Sequence, residues 1–238
     1  MLDSSPEIAR VPLSAEGIPA LREKFVSSGA ESLWEGRNVV LSESFALARD
    51  EAHLLTTTVS KEGVSRPRAA LFHIHSGGMV AGDRLVGMEL MADWVDAFDL
   101  VCTSVEYRLA PEHPDPTPVN DCYDGLVSFS QDILERHGHI PLIVVGMSAG
   151  GGLAAGITLM ARDEGGPAIA GQLLMCPMLD ESNDTASSHQ FSELGLWDRE
   201  SNDTGWNALL GGRRRARRQP VRITRPRGEP VRAASDVS

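Results

Sequence analysis

The sequence contains few cysteines and no apolar run long enough to cross a membrane. Its three cysteines, Cys102, Cys122 and Cys176, lie in or beside apolar segments and lack the spacing of metal ligands, so we expect buried free thiols. The first ten residues are polar and include no apolar signal region. These absences exclude a disulfide framework, and they predict a cytoplasmic protein with no bound metal, no other cofactor and no membrane span.

Basic residues are also scarce over most of the chain. Residues 211–238 hold nine of the 22 basic residues, all of them arginine, but only two of the 33 acidic residues. The remainder is therefore strongly acidic, and an acidic surface repels nucleic acid and anionic membranes. The chain of 238 residues is 42% hydrophobic and 23% charged, which is ordinary for a globular protein and sufficient for one large α/β domain.

The Arg-rich segment 211–238 lacks lysine, histidine and apolar periodicity, and it contains three prolines. This composition predicts a disordered basic tail that follows a single domain over residues 1–210. The composition of the tail also fits out-of-frame translation of an Arg-rich reading frame. The more specific alternative is a basic arm that binds nucleic acid. We expect no nucleic-acid partner, because the domain itself is acidic.

Segments typical of buried strands alternate with helical segments between residues 56 and 176. The strand-like segments are 56–59, 69–75, 100–105, 142–145 and 169–176, and the helical segments are 85–98, 120–136 and 149–162. This alternation predicts an α/β fold with a mostly parallel sheet, helices on both faces, and functional loops at the carboxyl ends of the strands.

Helical patterns predominate in the two regions that flank this alternation. Residues 1–50 are expected to be helical, with Ile18, Leu21 and Phe25 on one face of a first helix and a second helix near residues 42–55. They form either a cap over a site or a packed extension. Residues 181–210 are polar with apolar anchors, which favours a cap segment of one or two helices.

The segment Gly146-Met147-Ser148-Ala149-Gly150 lies between an apolar run and a stretch rich in Gly and Ala. It matches the G-x-S-x-G pattern of a nucleophile elbow, in which a sharp strand-to-helix turn holds the serine in a strained conformation. Bulky residues two positions away would clash, and the helix directs free N–H groups toward an oxyanion. The alternative is an ordinary strand-to-helix turn with a capping serine.

Small residues also follow the strand predicted over 69–75, in the segment His75-Ser76-Gly77-Gly78. Such a loop can turn backbone N–H groups toward a ligand, although a merely flexible loop is the alternative. We expect His75 to position this loop rather than to act as a base. Farther on, Arg108 stands between acidic residues, which indicates either an ion pair that pins a loop or a solvated charge cluster.

Three motifs together resemble the hormone-sensitive-lipase-like branch of the α/β-hydrolases, a group of carboxylesterases and lipases. They are His75-Ser76-Gly77-Gly78, Tyr107-Arg108-Leu109-Ala110-Pro111-Glu112 and Gly146-Met147-Ser148-Ala149-Gly150-Gly151. The resemblance covers about residues 40–210. Two departures from the family pattern are small: Ser76 replaces a glycine of the loop, and Met147 replaces the usual aspartate before the nucleophile.

This resemblance implies that Ser148 is the acyl-accepting nucleophile, supported by Gly146 and Gly150. Gly77, Gly78 and Ala149 would supply the oxyanion-hole N–H groups, and a small-molecule ester would be the substrate, with no metal or cofactor. Residues 1–50 and 181–210 would form the cap. The sequence leaves open whether the chain forms a homo-oligomer.

A larger departure concerns the rest of the catalytic triad. In this family the acid Asp follows a later strand and the base His comes near the chain end, and no such segment is present here. We therefore expect a C-terminally truncated copy that lacks the last strands and is weakly active or inactive. Of the seven histidines only His189 is a candidate substitute base, and Asp180 is expected to be structural. The alternative function is a non-catalytic small-molecule binding protein, like the gibberellin receptors of the same branch.

Overall fold

The computed structural model describes residues 13–25, 27, 33–190, 192 and 197–211. The predicted basic tail lies outside these residues from position 212 onward, as do residues 1–12. The strands are β1 (Val39–Leu47), β2 (His53–Lys61), β3 (Ala70–Ile74), β4 (Val101–Val105), β5 (Leu142–Met147) and β6 (Gly171–Met175). The helices are α1 (Ile18–Lys24), α2 (Met88–Phe98), α3 (Thr117–His137), α4 (Ala149–Glu164), α5 (Ala186–Gln190) and α6 (Arg199–Leu210).

The six strands form one sheet in the order β1-β2-β4-β3-β5-β6. The three pairings among β4, β3, β5 and β6 are parallel, whereas β1–β2 and β2–β4 are antiparallel. The predicted α/β fold with a mostly parallel sheet is thus confirmed. The central position of β3 and β5 puts the loops after these two strands side by side at the carboxyl edge.

Alternate residues of the central strands point into two separate cores. Phe72 and Val144 pack with α3 and α4 on one face of the sheet. Their neighbours Leu71 and Val145 pack with α2 on the other face. Every residue of β3 is buried, because helices cover both sides. This arrangement explains why the strand appears in the sequence as a run that is apolar except for His73, rather than as an alternating pattern.

The predicted helix near residues 42–55 is wrong, because this region is an antiparallel hairpin. β1 pairs with β2 over its full length, with Leu47 opposite His53. The turn between them closes with Ala48 and Ala52 hydrogen-bonded through their backbones, and Glu51 takes a positive φ of 66°. The first helix of the N-terminal region does form, as α1, but Phe25 follows its last residue and is exposed rather than part of the buried face.

Two further expectations change in detail. α3 begins at Thr117, three residues earlier than predicted. Pro118 is tolerated there because it lies in the first turn, where the backbone N–H has no partner within the helix. Cys102 and Cys122 are buried as expected, but Cys176 is exposed directly after β6. Among the described residues, no helix combines the length and apolar character needed to span a membrane.

Candidate active site

Ser148 lies in a sharp turn between β5 and α4, with a positive φ of 54°. A Cβ atom on Gly146 would come within 2.2 Å of the Gly150 carbonyl oxygen. A Cβ atom on Gly150 would come within 2.1 Å of the Ile74 carbonyl oxygen. Only glycine fits at either position, so the local geometry is that of a strained strand-to-helix elbow.

The contact of Gly150 with the end of β3 joins the elbow to the neighbouring loop. Because this helix residue has no side chain, the first turn of α4 lies against the backbone of Ile74 and His75. The elbow is also attached to the chain after β6: the Ser148 amide donates to the Met175 carbonyl, and the Met178 amide donates to the Ser148 carbonyl. Ser148 is therefore held at the positive end of the α4 dipole, beside the start of the glycine loop.

The glycine loop, residues 76–82, folds into a tight turn. Gly77 and Gly78 have φ values of 121° and 66°, and a Cβ atom on Gly77 would lie 1.9 Å from the Ala81 carbonyl oxygen. The amides of Val80 and Ala81 both donate to the Gly77 carbonyl. Over the described part of the chain, the amides of Gly77, Gly78 and Ala149 donate to no protein acceptor. These N–H groups are thus available to an anionic oxygen.

His75 supports the loop from below. Its Nδ1–H donates to the Ser76 carbonyl at 2.7 Å, and its ring stacks on Tyr107 with the ring centroids 4.1 Å apart. The Tyr107 hydroxyl in turn donates to the His75 carbonyl at 3.2 Å. Burial lowers the pKa of His75 to about 4, so the ring is neutral at ordinary pH. These contacts support a positioning role for His75.

Arg108 pins the loop that carries Tyr107, in agreement with the first of the two interpretations of its charge pattern. Its backbone amide and guanidinium bind the fully buried carboxylate of Asp121, with the shortest contact at 2.7 Å from Nη2 to Oδ1. The guanidinium also reaches Asp50. These ion pairs raise the pKa of Arg108 above its ordinary value. The two carboxylates that bind Arg108 therefore lie 13 and 58 positions away in the sequence. Neither Glu106 nor Glu112 binds it in the described structure.

None of the seven histidines hydrogen-bonds to Ser148 in the described structure. His189, the candidate substitute base, has both ring nitrogens occupied: Nε2 contacts Asp184 at 2.8 Å and Nδ1 contacts Arg199 at 2.7 Å. Since arginine only donates, Nδ1 must accept and Nε2 must carry the hydrogen. No lone pair remains to take a proton from Ser148. Asp180 binds Ser182 in a local turn, which is a structural role.

Sequence patterns gave no sign of Arg22, which fastens α1 to the site. Its Nε donates to the Val80 carbonyl in the glycine loop at 2.7 Å, and Nη2 donates to the Ala110 carbonyl at 3.0 Å. The same guanidinium holds Glu112 in a two-pronged ion pair. These hydrogen bonds from Arg22 lower the pKa of Glu112 to about 2. The N-terminal helix is thus attached directly to the loop below it.

The chain resembles known proteins both in sequence and in structure. A family described as having the alpha/beta hydrolase fold matches residues 71–237. Carboxylic ester hydrolase LipN of Mycobacterium tuberculosis is 36% identical over 127 residues, which cover 51% of this chain and 34% of LipN. Rabbit (Oryctolagus cuniculus) arylacetamide deacetylase is 44% identical over 95 residues, which cover 38% of this chain and 24% of the deacetylase.

Two solved structures have the same fold over most of the chain. A bacterial heroin esterase superposes with a TM-score of 0.72 at 34% identity, covering 82% of this chain and 60% of the esterase. Esterase LipW of Mycobacterium marinum superposes with a TM-score of 0.74 at 26% identity, covering 85% of this chain and 65% of LipW. The chain therefore spans less than two thirds of each of these proteins.

Proposed function

The chain belongs to the alpha/beta-hydrolase fold family, in its hormone-sensitive-lipase-like branch, and from this premise we propose that its site is that of a carboxylic-ester hydrolase working through an acyl-serine intermediate. One observation carries the proposal. A serine in a strained elbow lies at the amino end of α4, beside a glycine loop in which the N–H groups of Gly77 and Gly78 have no acceptor in the described structure. An ordinary capping serine requires neither the positive φ nor the free amides.

The proposed reaction follows from this arrangement. The Ser148 oxygen attacks the carbonyl carbon of a small-molecule ester, and the carbonyl oxygen becomes an oxyanion that accepts hydrogen bonds from Gly77, Gly78 and Ala149. The alcohol then departs with the proton from the Ser148 hydroxyl, and water hydrolyses the acyl-serine ester in a second step, which releases the acid and restores the hydroxyl. Removing one such donor from an oxyanion hole typically raises the barrier by about 3 kcal/mol, so three donors together give the largest lowering of the barrier at this site.

We further propose that this chain is an incomplete and weakly active copy. A serine hydroxyl at its ordinary pKa is a poor nucleophile without a hydrogen-bonded base. The described residues offer Ser148 no such base, and His189 is committed to other partners. What remains is the oxyanion hole, which alone supports catalysis on the order of 10³-fold over water.

Hydrolysis of p-nitrophenyl acetate tests both parts of this proposal. We expect slow release of p-nitrophenol by the purified chain, and we expect Ser148→Ala to lower it to the residual rate that the oxyanion hole supports on its own. Ser42→Ala, on the exposed edge strand β1, is the matched control and should leave the rate unchanged. Equal rates for the chain and Ser148→Ala would contradict catalysis by Ser148. Rapid turnover that needs Ser148 would instead contradict the incomplete triad.

A second candidate function is ligand binding without hydrolysis. It is favoured by the same combination of free loop amides and a serine that lacks a base. A thermal-shift titration with a small carboxylate such as butyrate separates the two, since a binding protein should show a rise in melting temperature without ester turnover. No shift at millimolar butyrate would count against the binding function.

A further inference from the structure

The side chain of Trp197 fills a slot between the glycine loop and helix α6. A Cβ atom on Gly78 would lie 2.2 Å from Cη2 of Trp197 and 2.9 Å from Cζ3. A Cβ atom on Gly205, in the middle of α6, would lie 3.2 Å from Cζ2 of Trp197 and 3.2 Å from the Gly78 carbonyl oxygen. Two glycines therefore admit one edge of the indole, and loop, indole and helix are in direct contact.

Hydrogen bonds fix the orientation of this indole. Its Nε1–H donates to Oδ1 of Asn202 at 3.2 Å. The side-chain Nδ2 of Asn202 in turn donates to Oδ1 of Asn183 at 3.1 Å. Asn183 is buried, and its own amide donates to the Arg199 carbonyl at 3.0 Å. The ring is thus held by two asparagines in series, and its position against Gly78 is set by α6 rather than by the loop.

We infer that Trp197 and Gly205 are positioning residues for the oxyanion hole and that they act through Gly78. The inference rests on the proposed function, because the proposed function is what makes the Gly78 N–H a donor to the oxyanion. Gly77 and Gly78 have no side chains with which to anchor their part of the loop, and an oxyanion donor must lie within about 3 Å of the oxygen it stabilises. Arg22 holds the loop at Val80, and the indole holds it at Gly78. Trp197 and helix α6 therefore support the loop.

The variant Gly205→Ala should disturb the position of Gly78 without lowering the stability of the folded protein. The added methyl group must displace the indole or the Gly78 carbonyl by a few tenths of an ångström, since its clearance is 3.2 Å from each. In the interior of a helix, however, alanine is more favourable than glycine, so the melting temperature should stay level or rise. Gly156→Ala is the matched control, with the same 3.2 Å clearance but against a methyl group of Val119.

The measurement compares two ligands in a Ser148→Ala background, where no covalent bond can form. An ethyl alkylphosphonate monoester presents a tetrahedral anion to the loop, and ethyl butyrate presents a neutral planar carbonyl. With Gly205→Ala we expect about tenfold weaker phosphonate binding, the effect of weakening one charged hydrogen bond, while ethyl butyrate affinity changes less than twofold. Unchanged phosphonate affinity, or an equal loss for both ligands, would overturn the inference.

A second measurement does not depend on any ligand. In protein labelled with ¹⁵N-glycine, Gly205→Ala should move the amide resonance of Gly78, and Gly156→Ala should not. Asn202→Ala, which keeps the indole but removes its hydrogen bond, should move the same resonance in a protein that remains folded. A Gly78 resonance that stays in place in both variants overturns the inference. If the Ser148→Ala protein without a second substitution fails to bind the phosphonate, the proposed function is contradicted instead. The shift of the Gly78 amide resonance then still tests whether Trp197 and Gly205 position Gly78.

Discussion

Gly150→Ala should lower the free energy of unfolding by about 3 to 5 kcal/mol, a loss at the upper end for single substitutions. The added Cβ atom would lie 2.1 Å from the Ile74 carbonyl oxygen and 2.5 Å from that of His75. Both oxygens belong to the backbone at the end of the central strand β3, which cannot shift without disturbing its pairing with β4 and β5. Helix α4 must therefore move away from the sheet and lose buried contacts.

Urea unfolding followed by circular dichroism measures this loss. Gly156→Ala is again the comparison, because it adds the same methyl group to the same helix but meets only a valine side chain that can adjust. It should change the free energy of unfolding by less than about 1 kcal/mol. If Gly150→Ala were as stable as Gly156→Ala, the close approach of α4 to β3 would be wrong, and the elbow geometry with it.

Local chemistry explains why much of the candidate site could be predicted from the sequence. The turn at Ser148 needs small residues two positions away on each side, so Gly146 and Gly150 mark it without any knowledge of the partner strands. Gly77 likewise marks a loop that only glycine can form. The apolar runs of β3 and β5 indicate strands covered on both faces, and this determines the central architecture.

Features that depend on contacts between distant segments could not be predicted in this way. The stretch around Phe45 fits a helix or a strand, and only pairing with β2 decides between them. Arg22 binds groups 58 to 90 positions away, and nothing in its neighbourhood signals this. In the sequence, Trp197 is one of several apolar residues within 181–210, and nothing near it indicates that its ring packs directly against the glycine loop. His189 was a candidate base only while its two partners were unknown.

The attachments of the glycine loop show a common pattern. Its stem is held by His75 and Tyr107, its outer side by Arg22, and its tip by Trp197. Each of these contacts reaches the loop through its backbone carbonyls or its Cα atoms. The N–H groups of Gly77 and Gly78 are left without a protein acceptor in the described part of the chain. The Gly77-Gly78 part of the loop thus gains its rigidity from elements far apart in the sequence.

Buried neutral histidines should make the protein less stable as the pH falls below 6.5. Burial lowers the pKa of His75 from 6.5 to about 4, and burial lowers the pKa of His73 from 6.5 to about 3. Between pH 6.5 and about 4 the unfolded chain binds a proton at each ring that the folded protein does not bind. Stability is therefore complete above pH 6.5 and is lost on acidification, by up to about 1.4 kcal/mol per pH unit for each histidine.

Urea unfolding between pH 7 and pH 5 isolates this effect, because the carboxylates titrate mainly below this range. We expect a loss of about 4 kcal/mol over the two units, shared by the two rings. His73→Asn keeps a polar group near the Ser104 hydroxyl, which lies 3.0 Å from Nδ1, but it cannot titrate, so the loss should fall by about half. His139→Asn, at an exposed position, should leave the loss unchanged. If His73→Asn kept the full pH dependence, the folded protein would have to accommodate a charged ring at this site, contrary to its burial between sheet and helix.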